Sequence, residues 1–535
     1  MNTRAPEGAF RTPFGPVTID GATTPAEVAE VAHGLRSAAL SPRAREAAAA
    51  AHARMAGCIE ERRLVYGVCT GFGPLADRIT APEDIETLQE NLINHLATGV
   101  GRPLSWAAAR AMTLARLSSI AQGWSGASEE AIGLLEALIC SRYAPRVPEK
   151  GTVGASGDLT PLSHMALALM GRGGFIRADG SDAPDAEVFA ALGRPPLTLR
   201  ARDGLALVNG TSAMTGVACL NAAAAARLIA WAEALTVGAA ELLSGRLEAW
   251  SAAFSEARPH PGQALASAEL RRRAAGAARL DAEPASLRRI DAQPAGDSRR
   301  ADRAAQDAYT LRCAPQVIGA VRDAATWHET VVRRELNSAT DNPIFPVGGP
   351  PALHGGNFMG QHVAFASDAL NTAMIALAGL AERQVARLTD ERLNGGLPAF
   401  LHRGPAGLNS GLMGAQVTAT ALLAEMRTRA TPASAQSIST NGANQDVVSM
   451  GTIAARNAAA QIEDAGAVLA ILALAVAQGG DILAERGEHE PRLGPASRAV
   501  CAWVRATAPE APCDRPFSPD IAALAEAMAG SDPPG

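Results

Sequence analysis

A serine between two small residues stands in the segment Gly151-Thr-Val-Gly-Ala-Ser-Gly-Asp-Leu-Thr160. The local pattern is that of a helix start, with Asp158 as N-cap and Pro161 in the first turn. That pattern does not explain Ala155-Ser156-Gly157, and Gly-Ala-Ser-Gly is not the Gly-x-Ser-x-Gly of a hydrolase elbow. Without bulky neighbours, the glycine amide nitrogen can reach the alanine carbonyl carbon. Cyclisation with loss of water, and elimination of the serine hydroxyl, would give a methylidene-imidazolone, an electrophile made from the chain itself.

The chain has one lysine, Lys150, among its 48 lysines and arginines. A pyridoxal phosphate enzyme needs a lysine for its Schiff base, and a P-loop needs one after its glycines. Lys150 precedes Gly-Thr and fits neither requirement. An electrophile made from Ala155-Ser156-Gly157 would activate an amine as a pyridoxal Schiff base does, and it requires no lysine.

A second block with catalytic potential is Tyr66-Gly-Val-Cys-Thr-Gly-Phe-Gly-Pro74. Its simplest interpretation is a glycine turn with a tyrosine packed against it. Gly71-Phe-Gly-Pro-Leu-Ala76 formally fits a dinucleotide fingerprint, but Pro74 falls inside the phosphate turn and no βαβ alternation surrounds it. In the block 205–212, Asn209-Gly210 on its own is most often a turn. In the block 306–316, Tyr309 and Arg312 share one helix face, as a surface cation–aromatic pair would.

These blocks resemble those of the aromatic amino acid ammonia-lyase and aminomutase family, the histidine, phenylalanine and tyrosine ammonia-lyases. The signature Gly-Thr-Val-Gly-Ala-Ser-Gly-Asp-Leu-Thr-Pro-Leu is intact from Gly151 to Leu162, and the resemblance covers residues 60–480. It is strongest to the bacterial tyrosine ammonia-lyases. The resemblance implies a histidine ammonia-lyase-like fold and a 4-methylidene-imidazol-5-one formed from Ala155-Ser156-Gly157, with no external cofactor. It also implies a homotetramer in which each site is assembled from three chains.

The resemblance further implies a role for each matching residue. Tyr66 is the base, since a phenolate held close to a weakly acidic β-proton is suited to removing it. Asn209 donates a hydrogen bond to the ring carbonyl, as an oxyanion donor would, and Tyr309 helps to orient ring and substrate. Arg312 binds the substrate carboxylate in bidentate fashion. Asn342 also contacts the carboxylate, and Phe345 packs by the ring. The remaining implied substrate contacts are His95, Leu96, Asn441, Asn444 and Gln445.

Two positions discriminate between substrates within this family. His95-Leu96 stands where histidine lyases have Ser-His and phenylalanine lyases commonly have Phe-Leu. A histidine can hydrogen-bond a phenolic hydroxyl, and a site built to pair a hydroxyl rejects the analogue that lacks it. His95 taken alone is most simply a helix histidine with satisfied partners. Gln445, where histidine lyases have a glutamate, agrees independently, so we predict conversion of L-tyrosine to trans-p-coumarate and ammonia.

Three alternatives share much of this pattern. A tyrosine 2,3-aminomutase has the same catalytic residues and differs in adding ammonia back to the cinnamate. A phenylalanine or dual-specificity ammonia-lyase differs in its relative kcat/KM for the two substrates. An inactive helical scaffold would be expected to lose Ser156, Tyr66 or Arg312, and all three are present. Cys69, where the family usually has threonine or asparagine, adjoins the predicted base but removes no catalytic group.

The amino-acid composition limits the kinds of partner that we expect this protein to bind. The formal charge is −6 and no basic stripe is visible, which argues against nucleic acid. A charged content of 19%, below the roughly 25% average, predicts surface covered by self-association. The cysteines and histidines match neither a zinc nor a disulfide pattern, so no metal is predicted. The N-terminus is not a secretory signal, and the apolar run 465–477 is too short for a bilayer. We therefore expect a cytoplasmic protein with no membrane partner.

The elements that must position these groups are long helices. Rare strand patterns and 4% aromatic residues favour a mostly α fold, a long central helical bundle with a smaller N-terminal domain carrying the active-site loops. We place that domain at 1–205, with the electrophile and the Tyr66 loop, and the bundle with the C-terminal helices at 206–535. Helices are predicted at 43–63, 82–97, 105–122, 126–140, 212–248, 318–338, 360–393, 414–428 and 446–478.

Overall fold

The computed structural model describes residues 15–290, 296, 303–487 and 492–535. Helices dominate this part of the chain, which confirms the mostly α prediction. The helices are α1 (Pro25–Ala32), α2 (Pro42–Glu60), α3 (Ile85–Leu96), α4 (Trp106–Ala121), α5 (Glu129–Ile139), α6 (Leu159–Leu169), α7 (Asp185–Leu192), α8 (Asp203–Val208), α9 (Ser212–Leu242), α10 (Ala252–Ala257), α11 (Pro261–Arg273), α12 (Tyr309–Arg312), α13 (Ala314–Leu336), α14 (Gln361–Thr389), α15 (Met413–Thr428), α16 (Gly451–Glu485), α17 (Pro495–Thr507) and α18 (Ser518–Gly530).

The strands are short and pair in small sheets. Parallel β1 and β2 form one sheet, antiparallel β3 and β5 a second, and β4, β6 and β7 an antiparallel third in the order β4-β6-β7. Their bounds are β1 (Val17–Ile19), β2 (Ala38–Leu40), β3 (Val100–Pro103), β4 (Ala144–Pro145), β5 (Pro148–Lys150), β6 (Phe175–Ile176) and β7 (Asp182–Ala183).

Each helix predicted from composition has an observed counterpart. The largest difference is at the last one, because α16 continues to Glu485 instead of ending at 478. The prediction that the 465–477 run lies in a buried helix is confirmed, but the length argument attached to it was wrong. By length and composition α9, α14 and α16 could each cross a membrane; however, 67%, 67% and 78% of their most apolar windows are buried inside the protein. Packing within the protein therefore accounts for their hydropathy.

Hydroxyl side chains fix where the early helices begin. Ser41, Ser105 and Ser128 each precede a helix and accept a hydrogen bond from the amide three residues later. Thr24 does the same for α1 and forms a reciprocal capping box with Glu27. Each such cap stabilises a helix by about 1 kcal/mol. This favours the observed first residues of α1, α2, α4 and α5 over a start at a neighbouring residue.

The chain divides into two compact units. The first comprises 1–223, 327–368 and 432–459, and the second 224–326, 369–431 and 460–535. In the first unit, α4 is buried on nearly every side and packs against α1, α2 and α5. Helices α3, α6 and α8 pack against one another in the same unit. The boundary expected at residue 205 stays a prediction.

A buried arginine closes the ends of two helices in the first unit. Arg110 on α4 donates to the carbonyls of Val31 and Ala32 at the end of α1. It also donates to Ile139 and Ser141 at the end of α5, at 2.7 Å each. Burial lowers the pKa of its guanidinium to about 10. The C-terminal carbonyls, which carry the negative end of the helix dipole, are thereby satisfied inside the core.

In the second unit a buried carboxylate plays the converse role. Glu241 on α9 accepts hydrogen bonds from the Gly494 amide and the Ser497 hydroxyl, at the start of α17. Burial raises the pKa of this carboxyl. Trp231 on α9 also packs on Trp503 of α17, with ring centroids 4.3 Å apart. Helix α17 is thus tied to α9 by a charge at its N-terminus and by an aromatic contact.

Candidate active site

The Ala155-Ser156-Gly157 loop is a tight left-handed turn. Ser156 has φ +53°, between Gly154 at +79° and Gly157 at +76°. A left-handed conformation costs a non-glycine residue about 1–2 kcal/mol, so the surrounding structure must hold it. The Thr152 hydroxyl does part of this by donating to the Gly157 carbonyl at 3.2 Å.

Gly157 lies against the backbone of Gly210 with no room for a side chain. A Cβ on Gly157 would stand 2.2 Å from the Gly210 carbonyl oxygen. That oxygen accepts the amide hydrogen of Asp158 at 2.7 Å. A glycine at position 157 is therefore a packing requirement. The residues present fit a prosthetic group made here from the chain.

Asp158 binds other helices than the one that follows it. Asp158 is the N-cap residue of α6, as predicted, but its side chain makes no capping bond to that helix. The carboxylate accepts from the Met214 amide, in the first turn of α9, at 2.8 Å, and from the Thr452 hydroxyl in the first turn of α16. Burial raises its pKa to about 6, against the lowering effect of these donors. Asp158, which directly follows Gly157, thus ties this loop to the first turns of α9 and α16.

The predicted base, Tyr66, is held at both ends. Its hydroxyl oxygen accepts the Gly73 amide hydrogen at 2.9 Å, and its ring packs edge-on against Phe72 at 6.1 Å. Its own amide donates to Nε2 of His354 at 3.1 Å. Burial and the charge of Arg202 lower the pKa of His354, which suits a neutral ring with Nε2 as acceptor. The partner of His354 is thus the backbone of the predicted base.

Cys69, the departure from the family pattern, takes local backbone partners. Its thiol donates to the Arg63 carbonyl at 3.2 Å and accepts the Val65 amide hydrogen at 3.3 Å. Both partners precede Tyr66 in the same loop. The cysteine therefore helps to shape the turn that presents the tyrosine.

The turn 440–445 contacts two loops. One is the Ala155-Ser156-Gly157 loop, called the electrophile loop, and the other is Tyr66–Pro74, called the tyrosine loop. Gln445 Nε2 lies 3.5 Å from Ser156 Oγ, and its Oε1 accepts from Thr440 at 3.1 Å. Asn441, with φ +51°, places its side-chain nitrogen 2.7 Å from where a Cβ on Gly73 would be. Asn444, the next predicted contact, donates its amide to the Asn441 carbonyl at 3.2 Å. The structure thus brings Gln445 to Ser156, and Asn441 to the glycine that binds the Tyr66 hydroxyl.

Asn209 belongs to a buried network of charges and amides. Its Nδ2 donates to Asp341 Oδ1 and to the Asn342 carbonyl, both at 2.9 Å. Arg202 binds both oxygens of Asp341 at 2.8 Å, and both of these side chains are fully buried. Arg116 donates to the Asn209 carbonyl at 2.7 Å. The bond of Asn209 to the ring carbonyl stays a prediction. What the structure adds is the ion pair that orients this amide.

Asn342 and Phe345 lie next to this network. Asn342 Oδ1 accepts the Gly355 amide hydrogen at 2.7 Å. Phe345 is fully buried in a small cluster with Val65 and Val68, on either side of Tyr66 in sequence. The Arg202 guanidinium lies over its ring at 5.5 Å. In this chain Phe345 therefore packs beneath the tyrosine loop.

The predicted specificity residues end helix α3. His95 is exposed, and its Nδ1 lies 2.9 Å from the Asn91 carbonyl one turn earlier. A ring that donates from Nδ1 has Nε2 as its acceptor in the neutral form, which suits a phenolic O–H donor. Leu96 packs against the core of the first unit and turns its partly exposed face outward.

Tyr309 and Arg312 lie in the second unit. The Arg312 guanidinium stacks over the Tyr309 ring at 4.5 Å, and its Nη1 donates to Gln306 at 2.5 Å. Tyr309 is 71% exposed. A cavity of about 180 Å³ is lined by Arg312 together with Arg246, Phe254 and Asp307. Arginine and tyrosine thus form one preoriented pair on α12.

Two observations bear on external groups. Among the described residues, no three His, Cys, Asp or Glu side chains are grouped so that they could hold a metal ion. Lys150 immediately precedes the electrophile loop, with its ammonium group 3.6 Å from Glu149 and largely exposed.

A class of protein is defined by this helical fold, by the Ala155-Ser156-Gly157 loop, by a half-buried Tyr66 and by the buried network around Asn209. The model of the aromatic amino acid lyase family matches residues 23–506. The chain belongs to the aromatic amino acid lyase family, and it is a carbon–nitrogen lyase. This confirms the resemblance.

Relatives show how close the match is. A tyrosine ammonia-lyase of Cereibacter sphaeroides is 56% identical over 504 residues, 94% of this chain and 95% of that protein. A MIO-dependent tyrosine 2,3-aminomutase of Streptomyces globisporus is 40% identical over 519 residues, 96% and 95% of the two chains. The crystal structure of histidine ammonia-lyase from Trypanosoma cruzi aligns with a TM-score of 0.84, at 32% identity over 97% of this chain and 94% of that one. The predicted histidine ammonia-lyase-like fold is confirmed.

The buried ion pair gives a first prediction. Arg202→Met leaves the Asp341 carboxylate buried without its partner, which should lower the free energy of unfolding by about 3–5 kcal/mol. The measurement is urea unfolding at one protein concentration. Arg172→Met is the matched control, because it breaks an exposed pair with Glu90 and should cost less than about 1 kcal/mol. Equal losses in the two variants would contradict the role given to Arg202.

Asp158 gives a second prediction, on pH. Its folded pKa of about 6 lies above the ordinary 3.8, so the folded chain binds this proton more tightly than the unfolded chain. Its contribution to stability is therefore greatest below about pH 4 and is lost as pH rises through about 6, a change on the order of 3 kcal/mol.

Asp158→Asn removes this titration. We expect the difference in free energy of unfolding between the original chain and the variant to shrink as pH rises from about 4 to about 7. Other carboxyl groups are common to both chains and cancel in the difference. A difference that stays constant over this range would show that Asp158 has no raised pKa.

Proposed function

We propose that this protein deaminates L-tyrosine to trans-p-coumarate and ammonia without an oxidant. The observation that carries the substrate is His95, whose Nδ1 is bonded to its own helix so that Nε2 is left to accept a phenolic hydrogen. The 56% identity to a tyrosine ammonia-lyase supports the same substrate. A site that pairs the hydroxyl rejects phenylalanine, because the histidine nitrogen would then be unsatisfied.

The electrophile of the proposal is a methylidene-imidazolone made from Ala155-Ser156-Gly157. Once formed, this ring would supply an electrophile for the substrate amine and would make the amine a leaving group. The one lysine of the chain, Lys150, fits no pyridoxal phosphate site that could do the same. The left-handed Ser156 and the close contact of Gly157 with Gly210 support ring formation at this loop. Gln445 beside Ser156 supplies a neutral amide at the reacting position.

Tyr66 is the proposed base for the β-proton. The Gly73 amide donates to its oxygen, and this donor stabilises negative charge there when the proton is absent. The His354 contact fixes the backbone of the tyrosine, so that the phenol oxygen is held in place before substrate arrives. Proton removal at the β-carbon and departure of the amine at the α-carbon together give the double bond of the product.

Arg312 is proposed to bind the substrate carboxylate, with Tyr309 orienting ring and substrate. The stacking of the guanidinium on an exposed phenol ring leaves an arginine edge that two carboxylate oxygens fit. We also propose a cytoplasmic homotetramer in which several copies of the chain complete each site. The exposure of Tyr309 and the low charged content support a surface that another copy covers.

A tyrosine 2,3-aminomutase is the second candidate, because a relative with that name is 40% identical over 96% of this chain. The two functions share proton and amine removal, and they differ in whether ammonia returns to the β-carbon. The product identifies the reaction: coumarate alone supports the lyase, and β-tyrosine supports the aminomutase.

The test of the proposed function is incubation of the purified protein with L-tyrosine, L-phenylalanine and L-histidine, followed by product identification by ultraviolet absorbance and chromatography. We expect coumarate from tyrosine as the dominant product. Ser156→Ala is the control. It cannot eliminate a hydroxyl, so it should lack the loss of two water molecules in intact-protein mass spectrometry and should form no product. Protein that has lost both waters and still makes no coumarate would refute the substrate assignment.

His95 gives a further prediction. His95→Phe removes the acceptor for the phenolic hydrogen and offers only apolar contact. The ratio of kcat/KM for tyrosine to that for phenylalanine should fall by a factor on the order of a hundred or more. Asn94→Ala, one residue earlier on the exposed face of α3, is the control and should leave the ratio unchanged. An unchanged ratio in the His95 variant would remove it from substrate selection.

A further inference from the structure

A buried glutamine on α3 has partners in two other segments that carry site residues. Gln89 is fully buried. Its Nε2 donates to the Gly67 carbonyl at 2.8 Å, and its Oε1 accepts the Leu205 amide hydrogen at 2.9 Å. Both partners are backbone groups, so the side chain uses its donor and its acceptor to hold main chain in place.

Each of these contacts is next to a site residue. Gly67 directly follows the predicted base, Tyr66. Leu205 is one turn before Asn209, and its carbonyl accepts the Asn209 amide hydrogen at 2.9 Å. Gln89 itself lies on the helix that ends with His95-Leu96. One primary amide thus joins the tyrosine loop, the helix of the substrate-selecting residues and the helix that leads to Asn209.

The three segments around the Gln89 side-chain amide are closely packed. A Cβ on Gly67, which has φ +66°, would stand 2.4 Å from the Leu205 side chain. A Cβ on Gly204 would stand 2.8 Å from the Gln89 carbonyl oxygen. Displacing any one of the three segments therefore moves the other two, because interiors packed this closely transmit strain.

We propose that Gln89 is a positioning residue for the reaction, setting the Tyr66 hydroxyl relative to His95 and Asn209. The inference rests on the proposed function, and it adds a residue that never touches substrate. Both the donor and the acceptor of the Gln89 amide are needed for this role. A carboxylate at position 89 could not donate to the Gly67 carbonyl, and a thioether there could form neither hydrogen bond. Misplacement of a reacting group by about 1 Å costs on the order of a hundredfold in rate.

The charged groups on the surrounding elements have partners of their own. On α3, Glu86 pairs with Arg200 and Glu90 with Arg172. On α8, the Asp203 carboxylate accepts from the Ser128 amide and hydroxyl at 2.8 Å. On α6, His164 accepts the Gly99 amide hydrogen at 3.0 Å, and on the tyrosine side His354 binds Tyr66. A new ionisation introduced at position 89 is therefore separable from these groups.

Gln89→Glu tests the donor. When protonated, the introduced carboxyl can donate to Gly67 and accept from Leu205 as the amide does. When ionised, it places an anion against the Gly67 carbonyl oxygen, and burial raises its pKa. The ratio of its kcat to that of the original chain should be near one at about pH 5 and should fall tenfold to hundredfold, in order of magnitude, by about pH 9.

Gln89→Met tests the same bonds without a charge. Its kcat should be lowered by a similar factor at every pH, because both bonds that position the Tyr66 loop are lost and no titrating group is introduced. Gln461→Glu is the matched control: Gln461 is also fully buried and donates to a backbone carbonyl, that of Met426, at 2.9 Å. It should lower stability without a falling kcat ratio.

The original chain is assayed first, so that failure of the proposed function shows as no coumarate from any variant or from the original. All variants are also checked for loss of two waters by mass, which position 89 should not affect. A flat kcat ratio for Gln89→Glu, or an unchanged kcat for Gln89→Met, overturns the proposal. So does loss of the folded state in both variants to the same extent at low and high pH, because Gln89 would then serve stability alone.

Discussion

The close approach of the Gly157 and Gly210 backbones is the constraint on which this site depends. Neither residue can carry a side chain: a Cβ on Gly210 would stand 2.5 Å from the Arg116 guanidinium and 2.7 Å from the Thr340 hydroxyl. The backbone at Gly210 therefore lies between two segments, the electrophile loop on one side and the stretch from Thr340 on the other. Steric exclusion fixes their spacing to within a fraction of an ångström, which hydrophobic packing alone does not achieve.

Directional bonds then orient what the backbone has placed. Tyr66 depends on His354, Asn209 on the Arg202–Asp341 pair, and the electrophile loop on the carboxylate of Asp158. Asn209, the Arg202–Asp341 pair and Asp158 are buried, and leaving a buried partner unsatisfied costs about 1–3 kcal/mol. His354 is exposed. The site is consequently rigid through polar groups that take no part in the reaction, which is how preorganised catalytic geometry is commonly maintained.

The features that local sequence patterns encode could be predicted from the sequence. The long helices were predicted because strand patterns are rare and helix-breaking residues are few in these stretches, and the electrophile loop because its small residues are consecutive. The supporting residues were missed for the opposite reason: His354 lies 288 residues from Tyr66, and Gln89 lies 116 from Leu205. Nothing in a local window links such partners. Asp158 shows the same limit, since its position suggested a cap for α6 while its carboxylate binds α9 and α16.

The exposed Lys150, directly before the loop, has a practical consequence for handling the protein. Guanidinium groups stay protonated and do not react as amines, so this ammonium is the one side-chain amine of the chain. An acylating dye, crosslinker or activated resin that seeks lysine therefore has a single side-chain target, and that target is five residues from Ala155. Attachment to a support through lysine would therefore tether the protein next to the Ala155-Ser156-Gly157 loop.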